Sequence, residues 1–229
     1  MTKIAIIPAR GGSKRIPRKN IKNFHGKPII AYTIEAAISS KLFDEVMVST
    51  DDKEIAEIAI KYGASIPFYR SVETSNDTAT TLEVISEVLT NYETNGVFIN
   101  EFCCIYPCAP FVSNELIKEA YQQFSSNNYD TVFPIVRYST PIQRALKTKG
   151  NLVEMYDNNY QNTRSQDLAP AFYDAGMFYW SSRKSVEINK KLFTENSSFI
   201  ELDELQTQDI DNEIDWKLAE LKYELLQHT

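Results

Sequence analysis

The sequence predicts one three-layer α/β domain, and three observations carry that expectation. Short apolar runs of strand character alternate with amphipathic segments of helical length through the first 135 residues, the pattern of a sheet covered by helices on both faces. The apolar run Ile4-Ala5-Ile6-Ile7 leads into a loop with paired glycines and then into a helical pattern, as in Rossmann-like folds. The chain of 229 residues is 43% hydrophobic, enough for the core of one such domain and no more than a small appendage. A mostly parallel, Rossmann-like sheet with a small excursion is therefore expected over residues 1–229.

Each element follows from local pattern. Ile4–Ile7 reads as a buried strand, residues 28–40 as a helix, and Val46-Met47-Val48-Ser49-Thr50 as a second strand. Residues 51–62 place Ile55, Ile58, Ala59 and Tyr62 at helical spacing, with Asp51 or Asp52 as N-cap and Gly63 as stop. A short strand over 65–69 and a helix over 78–92, with Leu82, Ile85, Val88 and Leu89 on one face, come next. A buried strand over 98–106, a helix over 114–125 and a strand over 131–136 complete the alternation. Residues 138–170 break it: they are polar, carry short alternating runs around Gly150, and are expected to form an excursion, a hairpin that packs on a partner subunit. An aromatic strand over 171–180, a strand over 199–202 and an amphipathic helix over 213–227 close the chain.

The segment from Pro8 to Asn20 is the most informative. It holds Gly11 and Gly12 side by side, two of seven glycines, among Arg10, Lys14, Arg15, Arg18 and Lys19. Adjacent glycines let backbone approach a ligand, and Lys, Arg and exposed amides suit a polyanion. The spacing is not that of a Walker loop. Eight Lys and Arg precede the first acid, Glu35, in a chain whose net charge is −7. One basic loop on an acidic protein predicts one anionic ligand at one place and excludes a nucleic-acid surface. In a parallel sheet the ligand sits beyond the strands' carboxyl ends, where this loop, Ser49-Thr50-Asp51-Asp52 and Tyr106-Pro107-Cys108-Ala109-Pro110 all fall.

No apolar run reaches membrane-spanning length and no secretory leader is evident, so a cytoplasmic protein with no membrane partner is expected. Cys103, Cys104 and Cys108 lack a fourth ligand and match no zinc spacing, since His25 and His228 are distant; Cys103 and Cys104 read as core residues. Near the C-terminus, Asp209 and Asp211 stand at i and i+2, which in extended chain point the same way and suit a hard divalent cation. Glu213 and Asp215 instead suit the positive end of the last helix. A triphosphate facing this acidic pair calls for a metal between them, and Mg²⁺ is the expected ion.

Ile7-Pro8-Ala9-Arg10-Gly11-Gly12-Ser13-Lys14, then Ile16-Pro17 and Lys19-Asn20-Ile21, resemble the signature of the CMP-nonulosonate synthetases, the sialic-acid cytidylyltransferases and their relatives. The likeness continues through Ser49-Thr50-Asp51-Asp52, Arg70 with Asp77-Thr78, Pro107-x-x-Pro110 and Asp209-x-Asp211. Residues Tyr160 to Leu168, Ala171 to Gly176 and Phe178-Tyr179-Trp180 are similar to the pseudaminic acid branch. The resemblance implies a fold of the nucleotide-diphospho-sugar transferase type, a homodimer, and a Mg²⁺-assisted reaction of CTP with an acidic nine-carbon sugar that gives the CMP-sugar and pyrophosphate. It also implies roles. Arg10, Ser13, Lys19 and Asn20, with the glycines Gly11 and Gly12, would bind the phosphates; Ala9, Arg70 and Thr81 would frame cytosine and ribose. Asp209 and Asp211 would hold Mg²⁺, Arg164 would take the sugar carboxylate, and Tyr106 and Tyr173 would face the sugar.

In-line attack gathers charge on the phosphates, so Arg10 and Lys19 are the expected stabilisers and Asp211, directly or through its ion, the proton acceptor. Where sialic-acid enzymes tend to carry Gln-Pro-Thr-Ser-Pro, this chain has Tyr106-Pro107-Cys108-Ala109-Pro110, a less polar wall that argues against N-acetylneuraminic acid and suits pseudaminic acid. Synthetases for neuraminic, legionaminic or 3-deoxy-manno-octulosonic acid are the related alternatives. A non-catalytic nucleotide-binding module is the alternative of another class, disfavoured by the presence of Lys19, Asp209 and Asp211.

Overall fold

A computed structural model describes residues 2–227. In chain order its elements are β1 (Lys3–Pro8), β2 (Asn23–Phe24), β3 (Lys27–Pro28), α1 (Ile29–Ser40), β4 (Glu45–Ser49), α2 (Lys53–Lys61), α3 (Val72–Ser75), α4 (Thr81–Thr94) and β5 (Glu101–Ile105). Then follow α5 (Asn114–Asn127), β6 (Thr131–Arg137), β7 (Leu146–Lys149), β8 (Leu152–Met155), β9 (Phe172–Asp174), β10 (Phe178–Ser182), α6 (Arg183–Asn189), β11 (Ser197–Leu202) and α7 (Glu213–Gln227). His228 lies outside the described residues.

The main sheet runs β11-β6-β10-β5-β1-β4, with β9 paired to β6. Strands β1, β4, β5, β6 and β11 share one direction, while β9 and β10 run against it. Alternation along the strands fills two cores. Ala5, Ile7, Cys103, Ile105 and Trp180 face one side, covered by Ile30, Ile34 and Ala37 of α1 and Ile117 and Phe124 of α5. Ile4, Ile6, Met47 and Cys104 face the other, covered by Ile85, Val88, Leu89 and Tyr92 of α4. Cys103 and Cys104 are thus core residues on opposite faces, and all three cysteines are free thiols.

Caps set the helix starts. Asp52 accepts from Ile55 N at the head of α2, and Thr80 and Glu83 form a reciprocal capping box at α4. Gly63, with φ 95, turns the chain after α2 as a left-handed residue must.

The expected strand over 65–69 is corrected to one bridge, Met47 to Ser65. The segment lies at the sheet's edge, and Arg70 N–H donates to Thr50 O in place of a continued ladder. The expected strand over 171–180 is two strands, split by Ala175-Gly176-Met177, where Gly176 has φ 63. Helices α3 and α6 are too short for a periodic signal and went unread. Among the described residues no helix is long and apolar enough to cross a membrane.

Candidate active site

From β1 the chain passes through α1 on one face to β4, then through α4 on the other face to β5, which lies on β1's opposite side. That reversal opens a crevice between the carboxyl ends of β1 and β5. A cleft of about 490 Å³ occupies it, lined by Arg10, Ser13, Lys14, Arg15, Lys19 and Asn20 on one side and Tyr106, Pro107 and Cys108 on another. Gly176 and the segment Gln208-Asp209-Ile210-Asp211 close it, and Asp77 reaches in from the turn before α4.

Apolar packing brings the basic loop to the acidic segment. Ile16 and Ile210 are both buried in a third cluster with Phe24, Ile29, Tyr32, Trp216 and Ala219, and each buried isoleucine contributes about 1.5–3 kcal/mol. Polar contacts complete the join. Lys19 Nζ donates to the Ile210 carbonyl at 2.6 Å, between the two aspartates, and Arg15 Nη2 pairs with Asp211 Oδ1 at 2.7 Å. Asp209 opens onto the cleft. Protein crowding around it and the neighbouring Asp211 carboxylate push its carboxyl above the usual range. Asp215 is a cap: its Oδ2 accepts from the amides of Asp211 and Asn212, both at 2.9 Å.

The Ser49-Thr50-Asp51-Asp52 segment fastens the loop from behind. Asp51 Oδ1 accepts from Gly11 N at 2.9 Å, and Asp52 takes Arg18 at 2.5 and 3.0 Å while capping α2. The Arg18 guanidinium holds the Asp52 carboxyl down at about 2. A Cβ on Gly11 would lie 2.8 Å from Asp52 Oδ2, whereas one on Gly12 would meet nothing within 4 Å. Close approach to Asp52 therefore requires the first glycine. Its amide points at Asp51 and not into the cleft, a correction to the expectation that both glycines present their N–H groups to a ligand.

Of the residues named from sequence, Arg10, Ser13, Lys19, Asn20, Tyr106, Asp209 and Asp211 line this one cleft. Ala9 and Arg70 stand behind it: Ala9 N donates to Ser49 O at 2.9 Å, and buried Arg70 donates to Ser49 Oγ and Ser49 O. Thr81 Oγ1 lies 3.1 Å from Tyr106 Oη, which fixes that phenol in the wall. Arg164 is exposed in the excursion and is not brought to this cleft. Tyr173 packs on the Tyr138 ring and lines a separate apolar cavity with Phe133, Phe172, Phe193 and Phe199.

Four cleft residues, Lys14, Arg15, Asp77 and Cys108, have no individual role assigned by the sequence. Lys14 and Arg15 stood inside the motif but received no role. Asp77 pairs with Arg10 at 2.5 Å and also with Lys14; its signal was the Asn76-Asp77-Thr78 turn ahead of a capped helix. Cys108 lines the cleft and its thiol donates to Asn20 Oδ1, while burial pushes it up to about 12.

The family model described as "Cytidylyltransferase" matches residues 4–227. The pseudaminic acid cytidylyltransferase of Campylobacter jejuni is 40% identical over 98% of this chain and 97% of its own. The CMP-N,N'-diacetyllegionaminic acid synthase of Legionella pneumophila is 34% identical over 98% of this chain and 97% of its own. Among solved structures, a CMP:2-keto-3-deoxy-manno-octonic acid synthetase complexed with CTP superposes with a TM-score of 0.69 at 17% identity, covering 100% of both chains. With the crevice at the strand reversal and nearly the whole chain matched, this protein belongs to the cytidylyltransferase family.

Proposed function

We propose that this protein activates pseudaminic acid with CTP, giving the CMP-sugar and pyrophosphate. One observation carries the reading: a cationic loop and a pair of carboxylates face a common cleft and are joined by Lys19 and Arg15. The relatives at 40% identity bear that name, and the aromatic wall of Tyr106, edge-on to Tyr179 at 5.6 Å, suits a sugar deoxygenated at C9.

In this reading Arg10, Ser13 and Lys19 bind the triphosphate, with Ala9, Arg70 and Thr81 shaping the base and ribose end. The anomeric oxygen bonds to the α-phosphorus as the bond to the bridging oxygen breaks. Pyrophosphate leaves with the electron pair, and Asp211 accepts the hydroxyl proton. Charge that grows on the phosphates is met by Arg10 and Lys19. Arg10 and Lys14 are held by Asp77, so a phosphate must displace that carboxylate.

Two neighbouring carboxylates, Asp209 raised first by burial and then by the Asp211 charge, form a donor set that fits a hard cation. Asp209 and Asp211 would hold Mg²⁺, a hard cation suited to carboxylate oxygens. The ion would neutralise phosphate charge. The excursion is read as a homodimer element that brings Arg164 to the sugar end of a site. Leu146, Leu152, Val153 and Tyr156 are 60%, 73%, 62% and 68% exposed there within one chain.

The test is pyrophosphate release from CTP with pseudaminic, legionaminic, N-acetylneuraminic and 3-deoxy-manno-octulosonic acids. The expected result is the highest kcat/KM with pseudaminic acid. A higher value for another sugar reassigns the substrate, and no release with any of them favours a binding module.

A further inference from the structure

We infer that Cys108 is a positioning residue for the nucleotide loop, acting through Asn20; the inference rests on the reading of that loop as the CTP site. The Cys108 thiol donates to Asn20 Oδ1 at 3.2 Å, and Asn20 Nδ2 donates to the Arg10 carbonyl at 2.9 Å. Asn20 is buried, 6% exposed, and follows Lys19 in the short 3-10 turn that ends the loop.

A carboxamide has an acceptor end and a donor end, exchanged by a half-turn. The Arg10 carbonyl can only accept, so it selects the NH₂ end of Asn20. The oxygen end must then meet a donor, because a buried polar atom without a partner is costly. Cys108 is that donor. A flipped Asn20 would set oxygen against the Arg10 carbonyl and NH₂ against the S–H. The Arg10 carbonyl thus sets the polarity of Asn20, the thiol satisfies the oxygen left over, Asn20 holds the Arg10 backbone, and the Arg10 guanidinium is aimed across the cleft. This gives Asn20 a bracing duty beside the phosphate contact expected of it. It also gives a purpose to the thiol that stands at Cys108. A protonated, half-buried thiol serves as donor and packing atom at once, and the chemistry requires no thiolate.

The experiment compares Cys108→Ala, Cys108→Ser, Asn20→Ala and the Cys108→Ala/Asn20→Ala double variant. Its readouts are the CTP dissociation constant by calorimetry, kcat at saturating CTP, and Tm. Loss of one buried donor predicts CTP binding weakened about tenfold in Cys108→Ala, with kcat lowered as well because a loosened Arg10 meets the growing phosphate charge less well. Cys108→Ser, which keeps the donor, should stay within about twofold of the parent protein. Asn20→Ala should weaken CTP binding at least as much, and adding Cys108→Ala to it should change nothing further. If Cys108→Ala is too unstable to purify, Cys108→Val removes the donor while filling the volume and carries the same expectation.

Normal CTP affinity in Cys108→Ala overturns the inference, as does a Cys108→Ser variant no better than Cys108→Ala, or additive losses in the double variant. A lower Tm with unchanged CTP affinity also overturns it, because packing alone would then be the role. Normal CTP affinity in Asn20→Ala would instead remove the loop reading itself. A defective Asn20→Ala beside a normal Cys108→Ala removes only the thiol's part.

Discussion

The loop from Pro8 to Asn20 and the hairpin of β7 and β8 are both irregular departures from the sheet, but they are held in opposite ways. The loop is tied to the body at every few residues. Gly11 bonds to Asp51, Arg18 to Asp52 and Glu54, Asn20 to the Arg10 carbonyl and Lys19 to the Ile210 carbonyl, while Ile16 is fully buried. Among the described residues the hairpin's strands pair only with each other, and every residue of β7 is exposed. The ion pair of Lys147 with Glu154 at 3.6 Å is open to water and contributes little. An isolated two-stranded hairpin is marginal in water. The loop is completed by its own chain. Leu146, Leu152 and Val153 of the hairpin stay exposed among the described residues, which is why a second copy is proposed for it.

The largest expected effect falls on the loop. Lys19→Ala removes the cation between the two aspartates, and turnover should fall by roughly two orders of magnitude or more, as for one electrostatic stabiliser of a transition state. Steady-state pyrophosphate release checks it, with Tm measured beside it. Near-normal turnover would leave the tied loop a structural feature and break the contrast with the hairpin.

Asp209→Asn and Asp211→Asn sharpen the same end of the comparison. Each keeps its size but loses the charge a hard cation needs. Each should fold, lose about tenfold or more in turnover at limiting Mg²⁺ on loss of a charged contact, and need more Mg²⁺ to approach its maximum. Asp215→Asn is the control, because its carboxylate caps two amides at the head of α7. It should lower stability by about 1 kcal/mol or less. An unchanged Mg²⁺ requirement in all three variants would remove the metal assignment.

The same contrast decides what could be read from sequence. The alternation of strands and helices was legible because both faces of the sheet are buried, so its strands read as unbroken apolar runs, as at Cys103 and Cys104. The loop was legible because glycines and cations stand together in one stretch. What escaped depended on contacts distant in sequence. Nothing local shows that Asp77 reaches Arg10 and Lys14, that Ile210 shares a core with Ile16, or that Cys108 meets Asn20 across 88 positions. The strand over 65–69 failed for a related reason: its residues have strand character, but Ser65 N reaches Val46 O in a single bridge and no ladder follows before Arg70 N turns to Thr50 O. Arg164 and Tyr173 were named through resemblance, and within one chain both lie away from the cleft.

The smallest expected effect concerns that excursion and tests whether the hairpin is completed by a second copy. Light scattering should find a dimer at assay concentration. Leu152 and Val153 point to opposite faces of β8 and are both exposed, so Leu152→Asp and Val153→Asp probe the two faces separately. A carboxylate buried against a partner is costly, and the variant on the covered face should dissociate while keeping its affinity for CTP, since the loop is fastened within each chain. If dimerisation carries Arg164 to the sugar end, that variant and Arg164→Ala should share one defect. Loss of a charge-assisted contact to a carboxylate predicts a KM for the sugar raised about tenfold, with CTP binding unaffected. A parent protein that is monomeric and fully active at assay concentration would show the exposed hairpin to be self-sufficient. A dimer whose Arg164→Ala variant keeps its sugar KM would retain the interface and remove Arg164 from the site.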